Sequence, residues 1–306
     1  MTIPDTTIDR SATNRALLLM AASATFFGFM AFAAKLASDR LSGPEVAMIR
    51  FAFHLAPVLL VARWRRAAVK FERWDLLLYR GIFGGLAVLL YFVAIAHINV
   101  GIATLLNYCS PIFSGIFSMI FLREHISGRV LIPLPIALAG IFLVVNAHAT
   151  PGDFLGFGRW EMVGLLSAVC SGFAVTAMRA ARQVENSWSV YGSFCLLGLL
   201  TCLPQGISSW QTPTATEWKW LVIMALFAIG AQLLLTFSLR WIDAMTGGVI
   251  SQLAVLISMA LGVTILHESI TAMAAIGSVL TIGGVIGVVY VTSMHKAARP
   301  DEVVLD

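Results

Sequence analysis

The chain has 306 residues, of which 59% are hydrophobic and only 12% are charged, and its mean hydropathy is +0.88. A soluble domain carries about 25% charged residues, so this composition excludes a soluble globular enzyme and a disordered protein, and it indicates a polytopic membrane protein. The formal net charge is only +4 and the basic residues are scattered, which argues against nucleic acid as a partner.

Ten apolar stretches follow one another along the chain. Each is close to the length of about 20 residues that a helix needs to cross a bilayer. Turn-forming residues such as Ser42-Gly43-Pro44 separate several of them, and the short connections make neighbouring helices antiparallel. The sequence therefore predicts an all-α polytopic membrane protein with ten transmembrane helices. The predicted spans are 15–36, 44–63, 74–96, 101–121, 128–147, 160–181, 187–208, 217–239, 245–265 and 270–292.

Lysine and arginine are distributed unevenly over the predicted connections. If the N-terminus is cytoplasmic, the inner connections hold most of them, including a group within 63–73. The outer side then holds only Lys35, Arg40, Arg159 and Lys219. Because cytoplasmic loops are enriched in basic residues, we expect both termini in the cytoplasm. We interpret the 63–73 group as a topology anchor that faces anionic lipid rather than as a ligand-binding patch.

The chain also resembles itself when it is shifted by 144 residues. This single shift aligns Trp74 with Trp218, Glu124 with Glu268, and Gly140 with Gly284. Each copy holds five predicted spans, and because five is an odd number, the second copy must enter the membrane from the opposite side. The sequence therefore predicts two repeats of inverted topology, 15–147 and 160–292. Such repeats are typical of secondary transporters, which bind their substrate near the midplane between the halves.

Short motifs in the first copy carry a family resemblance. They are Arg50-Phe51, Tyr91-Phe92-Val93-Ala94, Ile98-Asn99, Ser110-Pro111, Leu122-Arg123-Glu124 and Ala139-Gly140. Together with ten spans, they resemble the repeat of EamA-type carriers of the drug/metabolite transporter superfamily. The resemblance implies two inverted five-helix repeats around a central cavity, and it is greatest to bacterial inner-membrane exporters of amino acids and related metabolites. The second copy has Ala254-Val255 in place of Ser110-Pro111, so a feature linked to the proline is expected in the first half only.

Polar residues on the fourth and ninth spans are the first candidates for substrate binding, because polar groups inside a membrane are functional candidates by default. A spacing of three and four residues places Asn107 on one helical face with Thr104 and Ser114. The shift places a similar stripe on the ninth span, and close helix packing by small residues is the alternative interpretation. The candidates are Asn107, Tyr108, Ser110, Ser251 and Gln252.

Three further candidates lie on neighbouring spans. Arg80 on the third span could hold a substrate carboxylate, or its side chain could extend to the nearby membrane surface. Tyr91 shares its helical face, and Gln232 belongs to the matching polar face of the eighth span. Arg50 and His54 lie one turn apart on the second span. For Arg50 a structural role, through pairing with Glu45 or with another helix, is favoured over a ligand role.

The acidic residues all lie in tails, in connections or at the ends of predicted spans. A carrier driven by protons or sodium usually places a carboxylate or an unwound ion site at mid-membrane, so we expect uncoupled transport. Glu124 and Glu268 occupy matching helix ends. We interpret them as contacts that stabilise helix ends rather than as a pair of gate latches.

The sequence thus favours a monomeric carrier that binds small molecules within the lipid bilayer and needs no cofactor. Alternating access is expected from the inverted repeats. Export of amino acids with broad specificity is expected because the candidate binding residues are mostly uncharged and suit zwitterions. An exporter of aromatic or drug-like compounds, with or without coupling to protons, is the alternative. A membrane-embedded enzyme is disfavoured because no two histidines have metal-ligand spacing. A channel or a structural subunit would be distinguished from a carrier by a transport assay.

Overall fold

The computed structural model describes residues 10–64, 73–121, 128–147, 158–181, 184–238 and 244–298. Within these ranges the regular structure is helical throughout, and no strand is present. Glu124 and most of the predicted lipid anchor within 63–73 lie outside the described ranges. The helices are α1 Arg10–Ala37, α2 Gly43–Trp64, α3 Trp74–His97, α4 Val100–Asn107, α5 Ser110–Phe121, α6 Pro133–Asn146, α7 Arg159–Ala181, α8 Ser187–Ser208, α9 Ala215–Ser238, α10 Ala244–Ser251, α11 Leu253–Thr264 and α12 Ala272–Ala298.

Nine helical stretches in the described part of the chain are long and apolar enough to cross a membrane, with α4–α5 and α10–α11 each counting as one. The fifth predicted span, 128–147, is the exception. It consists of a short 3-10 turn, Gly128–Leu131, followed by α6, which has only 14 residues. Pro133 and Pro135 have no backbone N–H, so they suit the first turn of α6 but cannot extend a regular helix back toward Gly128.

The fourth predicted span is interrupted at Tyr108-Cys109, between α4 and α5. Pro111 has no N–H to donate to the carbonyl of Asn107, its partner in a regular helix. The chain tightens instead, so that the Cys109 amide donates to Leu106 O at 3.2 Å and the Ile112 amide donates to Cys109 O at 3.0 Å. The interruption therefore follows from the proline, as the sequence indicates.

The ninth span is interrupted at Gln252, the residue that the 144-residue shift aligns with Tyr108. The expectation that the first half alone would carry such a feature is therefore wrong. No proline marks this interruption, and the Gly248 carbonyl, the partner of the Gln252 backbone amide in a regular helix, accepts the Ser251 hydroxyl at 2.7 Å. The Gln252 amide donates to Val249 O at 3.2 Å instead.

Five helix pairs make the most extensive contacts of the bundle: α3 with α7, α1 with α9, α6 with α12, α3 with α8, and α2 with α8. The contact between α3 and α8 is much more extensive than that between α2 and α9. One apolar core lies among α1, α2, α3, α8 and α9, and a second lies among α4, α5, α6, α11 and α12. The interruptions of the fourth and ninth spans are thus held inside the bundle.

Lys35 and Glu268 hold the junction between α3 and α4 at one end of the bundle, which we call the Glu268 end. The Lys35 ammonium donates to Ile95 O at 2.8 Å and to Ile98 O at 2.9 Å, and both carbonyls belong to the end of α3. The Glu268 carboxylate accepts the Val100 amide at the start of α4 at 3.0 Å and lies 3.9 Å from Lys35. Burial raises the pKa of Glu268, and the Val100 amide and Lys35 oppose that rise. The interpretation of Glu268 as a helix-end contact agrees with this geometry.

Replacing Lys35 with methionine should lower the free energy of unfolding by about 1.5–3 kcal/mol, the range for hydrogen bonds made by a charged group. The methionine keeps the apolar part of the side chain but leaves the two carbonyls at the end of α3 without their donor. Thermal unfolding of the purified protein in detergent measures the change. Lys219→Met is the control, because Lys219 is exposed and its loss should leave the melting temperature unchanged. Equal melting temperatures for Lys35→Met and the parent would contradict the prediction.

Candidate substrate-binding site

A cluster of polar side chains lies where α2, α3, α8 and the α4–α5 interruption meet. We call it the Arg50 cluster, and its members are Arg50, His54, Tyr91, Tyr108, Tyr191 and Cys195. The Arg50 guanidinium lies within electrostatic range of Tyr91, Tyr191, Cys195 and Tyr108. The cluster contains a fixed cation, several hydroxyl groups and no carboxylate.

Arg50 is only 5% exposed, and its Nε has no hydrogen-bond partner. Its guanidinium lies over the rings of Phe51 and Phe92, 5.7 Å and 5.6 Å from their centroids. No carboxylate in the described part of the chain forms an ion pair with it, and Glu45 instead accepts the Gln211 amide at 3.4 Å. Of the two structural partners expected for Arg50, Glu45 is therefore wrong, whereas a contact with another helix is present at Phe92 of α3. Cation–π contacts offset part of the cost of burying the charge, but a buried guanidinium still favours an anion as its partner.

His54 and Tyr191 form a hydrogen bond beside Arg50, with His54 Nδ1 2.8 Å from the Tyr191 hydroxyl. His54 is fully buried and its Nε2 has no partner. One ring nitrogen thus has a hydrogen-bond partner and the other has none, so a purely structural role accounts for only one of the two polar atoms of this buried histidine.

Tyr91 and Tyr108 place two hydroxyl groups near the guanidinium. The Tyr91 hydroxyl lies 2.9 Å from Thr104 Oγ1, which itself donates to Val100 O at 2.7 Å. Because Thr104 uses its hydrogen in this way, Tyr91 donates to Thr104 and keeps its acceptor lone pairs. The side-chain amide of Gln252 donates from its Nε2 to the backbone carbonyl of Tyr108 at 3.4 Å and so joins the two interruptions. The structure therefore brings three predicted candidates, Tyr91, Tyr108 and Gln252, to one place.

The remaining candidates on the interrupted spans have other surroundings. Asn107 donates to Ser167 Oγ at 3.0 Å and so connects α4 to α7. Ser251 donates to a carbonyl of its own helix. Ser110 at the start of α5 and Gln232 on α9 are both partly buried, and their roles in binding stay predictions.

Arg80 on α3 contacts α8 in the same region of the bundle. Its guanidinium stacks on the Phe194 ring of α8, 4.2 Å from the centroid, and its buried Nε has no hydrogen-bond partner. It also lies within electrostatic range of Cys195. The side chain thus turns toward α8, and the expected alternative, an extension to the membrane surface, does not describe it.

Sequence reasoning weighed a ligand role for Arg50 but favoured a structural one, and it missed the contributions of α8. The spacing of four between Arg50 and His54 was a usable signal, since it places two ionisable residues on one face of an apolar helix. The same spacing joins Tyr191 and Cys195 on α8. That these two faces meet could be learned only from the packing of α2 on α8.

The sequence matches the model of the EamA-like transporter family twice, over residues 14–146 and 158–290. The pseudopaline exporter of Pseudomonas aeruginosa (strain UCBPP-PA14) is 30% identical over 221 residues, which make up 72% of this chain and 76% of the exporter. The S-adenosylmethionine uptake transporter of Rickettsia bellii is 24% identical over 261 residues, or 84% of this chain and 87% of that protein. These relatives are named as transporters, not as enzymes.

A solved crystal structure is similar over 92% of this chain and 99% of its own, with a TM-score of 0.61 at 20% sequence identity. At that identity the likeness concerns the fold alone. The two family matches and the relative at 30% identity cover most of the chain. The protein is a multi-pass membrane transporter and belongs to the EamA-like transporter family.

Proposed function

We propose that this transporter exports small metabolites that carry a carboxylate, amino acids of several kinds among them, across the bacterial inner membrane. The observation that carries the proposal is the buried guanidinium of Arg50, which has no carboxylate partner in the described part of the protein. A charge in this position needs an anion, and a substrate carboxylate supplies one. Arginine suits this role because its planar fork of N–H groups binds a carboxylate with two parallel hydrogen bonds.

The surroundings of Arg50 also suit the ammonium group of an amino acid. Tyr91 keeps acceptor lone pairs beside the guanidinium. The missing N–H of Pro111 leaves the Asn107 carbonyl without its regular donor, at the end of α4 where the helix dipole is negative. Unwound carbonyls at such interruptions coordinate cations in other transporters. A zwitterion therefore finds a cationic partner and several acceptors in one region.

We further propose that the two family repeats are inverted and work by alternating access, with both termini in the cytoplasm. Exchanging the halves turns the α3–α7 contact into α9–α1, and both contacts are extensive. It turns the α3–α8 contact into α9–α2, and these two differ strongly. Such a pattern is expected of one conformation in an alternating cycle, where the other conformation has the opposite asymmetry. The bond between Gln252 and Tyr108 joins equivalent positions and is consistent with a twofold axis nearby.

Transport is proposed to be uncoupled from ion gradients. The buried carboxylates in the described ranges belong to Glu45, Glu161 and Glu185. The first two lie in the first turns of α2 and α7, and the third lies in the connection before α8. None is placed at the middle of a helix, where a proton-coupled carrier would carry its titrating group.

Counterflow in proteoliposomes tests the proposal. Vesicles that hold the purified protein are loaded with unlabelled amino acid, and the uptake of labelled amino acid is followed without any ion gradient. We expect saturable exchange of several amino acids. Absence of saturable flux for every amino acid would overturn the substrate class and favour aromatic or drug-like compounds. Accumulation of amino acid driven by an imposed pH gradient would overturn uncoupled transport.

A further inference from the structure

We propose that Arg80 forms a second anionic subsite next to Arg50, so that the transporter prefers amino acids with two carboxylates to their uncharged amide counterparts. This inference rests on the proposed function, because it assumes that Arg50 holds the first carboxylate. It adds a substrate preference that the uncharged candidates alone do not indicate.

The two arginines share their surroundings on α8. The Phe194 ring links them, since Arg80 stacks on it at 4.2 Å and its centroid lies 5.2 Å from that of Phe51, the neighbour of Arg50. Arg50 and Arg80 therefore belong to one continuous region between α2, α3 and α8.

The positions of the two arginines along α2 and α3 give their relative depth in the bundle. A helix rises about 1.5 Å per residue, so the Cα atom of Arg50 lies about 21 Å from the end of α2 at Trp64, and that of Arg80 lies about 9 Å from the start of α3 at Trp74. These helix ends are joined by one connection and lie at the same end of the bundle. The two Cα atoms therefore differ in depth by roughly 12 Å, or about two helical turns, so one substrate can meet both arginines as it moves through the protein.

Charge balance leads to the same substrate class. The ion pairs found in the described ranges are Lys35 with Glu268, Arg40 with Glu217, and Arg73 with Asp75, and none involves Arg50 or the half-buried Arg80. A substrate with one carboxylate would leave one of these guanidinium groups without an anion. A second carboxylate neutralises it, and the gain is large in a region of low dielectric constant.

Gly84 provides the space in which the Arg80 guanidinium lies. A Cβ atom at Gly84 would collide with Arg80 Nη1 and would lie only 2.9 Å from the Phe194 ring. Gly84→Ala therefore keeps the charge of Arg80 but displaces it. Gly115→Ala is the matched control, because no atom lies within 4 Å of a Cβ at that position.

The test compares glutamate with glutamine, and aspartate with asparagine, in proteoliposome counterflow with the membrane potential clamped to zero. We expect the parent protein to transport glutamate with a kcat/KM at least about tenfold above that for glutamine. Arg80→Gln should lower glutamate transport about tenfold more than glutamine transport, and Gly84→Ala should reduce the preference in the same direction. Arg80→Lys should keep part of it, since the charge remains. Gly115→Ala should keep the parent ratio.

Three results would overturn the inference. Equal kcat/KM values for glutamate and glutamine in the parent would remove the preference itself. Equal losses for both substrates in Arg80→Gln and Gly84→Ala would show that Arg80 supports the fold rather than the second carboxylate. In both cases transport of neutral amino acids would leave the proposed function intact. Absence of transport for every amino acid would instead overturn the proposed function, and this inference with it.

Discussion

Replacing Arg50 with methionine is expected to reduce amino-acid transport about 100-fold or more and to make the protein more stable. The loss of transport follows from two charge-assisted hydrogen bonds to the substrate carboxylate, each of which contributes about 1.5–3 kcal/mol. The gain in stability follows because Arg50 is buried without an ionic partner. Substituting buried charges with apolar residues of similar volume stabilises proteins by about 1–4 kcal/mol.

The opposite signs of these two changes distinguish a binding role from a structural one. Counterflow measures transport, and thermal unfolding in detergent measures stability, on the same preparation. Arg50→Lys should lose about tenfold in transport, because lysine keeps the charge but not the planar fork. Arg159→Gln is the control, since Arg159 is exposed and lies over Trp160. If Arg50→Met lowered the melting temperature and left substrate affinity unchanged, Arg50 would be a structural residue.

The spans were predictable because the hydrocarbon core of a bilayer fixes the length and the polarity of a helix that crosses it. Hydropathy therefore located nine stretches that the structure contains as long helices. The exception is 128–147, where Pro133 and Pro135 allow only the 14-residue helix α6. The interruption before Pro111 was also predictable. The one at Gln252 was not, because no proline marks it in the sequence.

The site was predictable only in part, because its members come from segments far apart in the sequence. Tyr91, Tyr108 and Gln252 were found by looking for polar residues in apolar spans, and the structure brings them together. Glu45 was one of two partners expected for Arg50, and the sequence alone cannot show that Glu45 instead accepts a backbone amide from the connection before α9. Tyr191 and Cys195 were missed because their spacing on α8 does not show that this helical face packs against α2.

Gly284→Ala should destabilise the protein by about 1–3 kcal/mol, the usual cost of adding a methylene-sized group to a packed interior. A Cβ at Gly284 would lie 2.6 Å from Ala137 Cα, so the atoms it meets belong to the backbone of α6 and cannot move away by a change of rotamer. Its counterpart in the first repeat, Gly140, faces Thr281 of α12 in the same interface, with its Cβ position 2.5 Å from the Thr281 amide nitrogen. The two glycines thus allow α6 and α12 to approach closely.

The neighbouring residue provides the control for this prediction. Gly283 is exposed, and no atom lies within 4 Å of a Cβ at its position. Gly283→Ala should leave the melting temperature unchanged or raise it slightly, because alanine is the better helix former. Thermal unfolding of the two variants in detergent measures the difference.

The comparison separates two interpretations of the Gly283-Gly284 pair. If it serves as a flexible hinge, both substitutions should impair transport with similar small effects on stability. A close helix contact instead predicts that only Gly284→Ala lowers the melting temperature. Equal melting temperatures for Gly283→Ala and Gly284→Ala would contradict it.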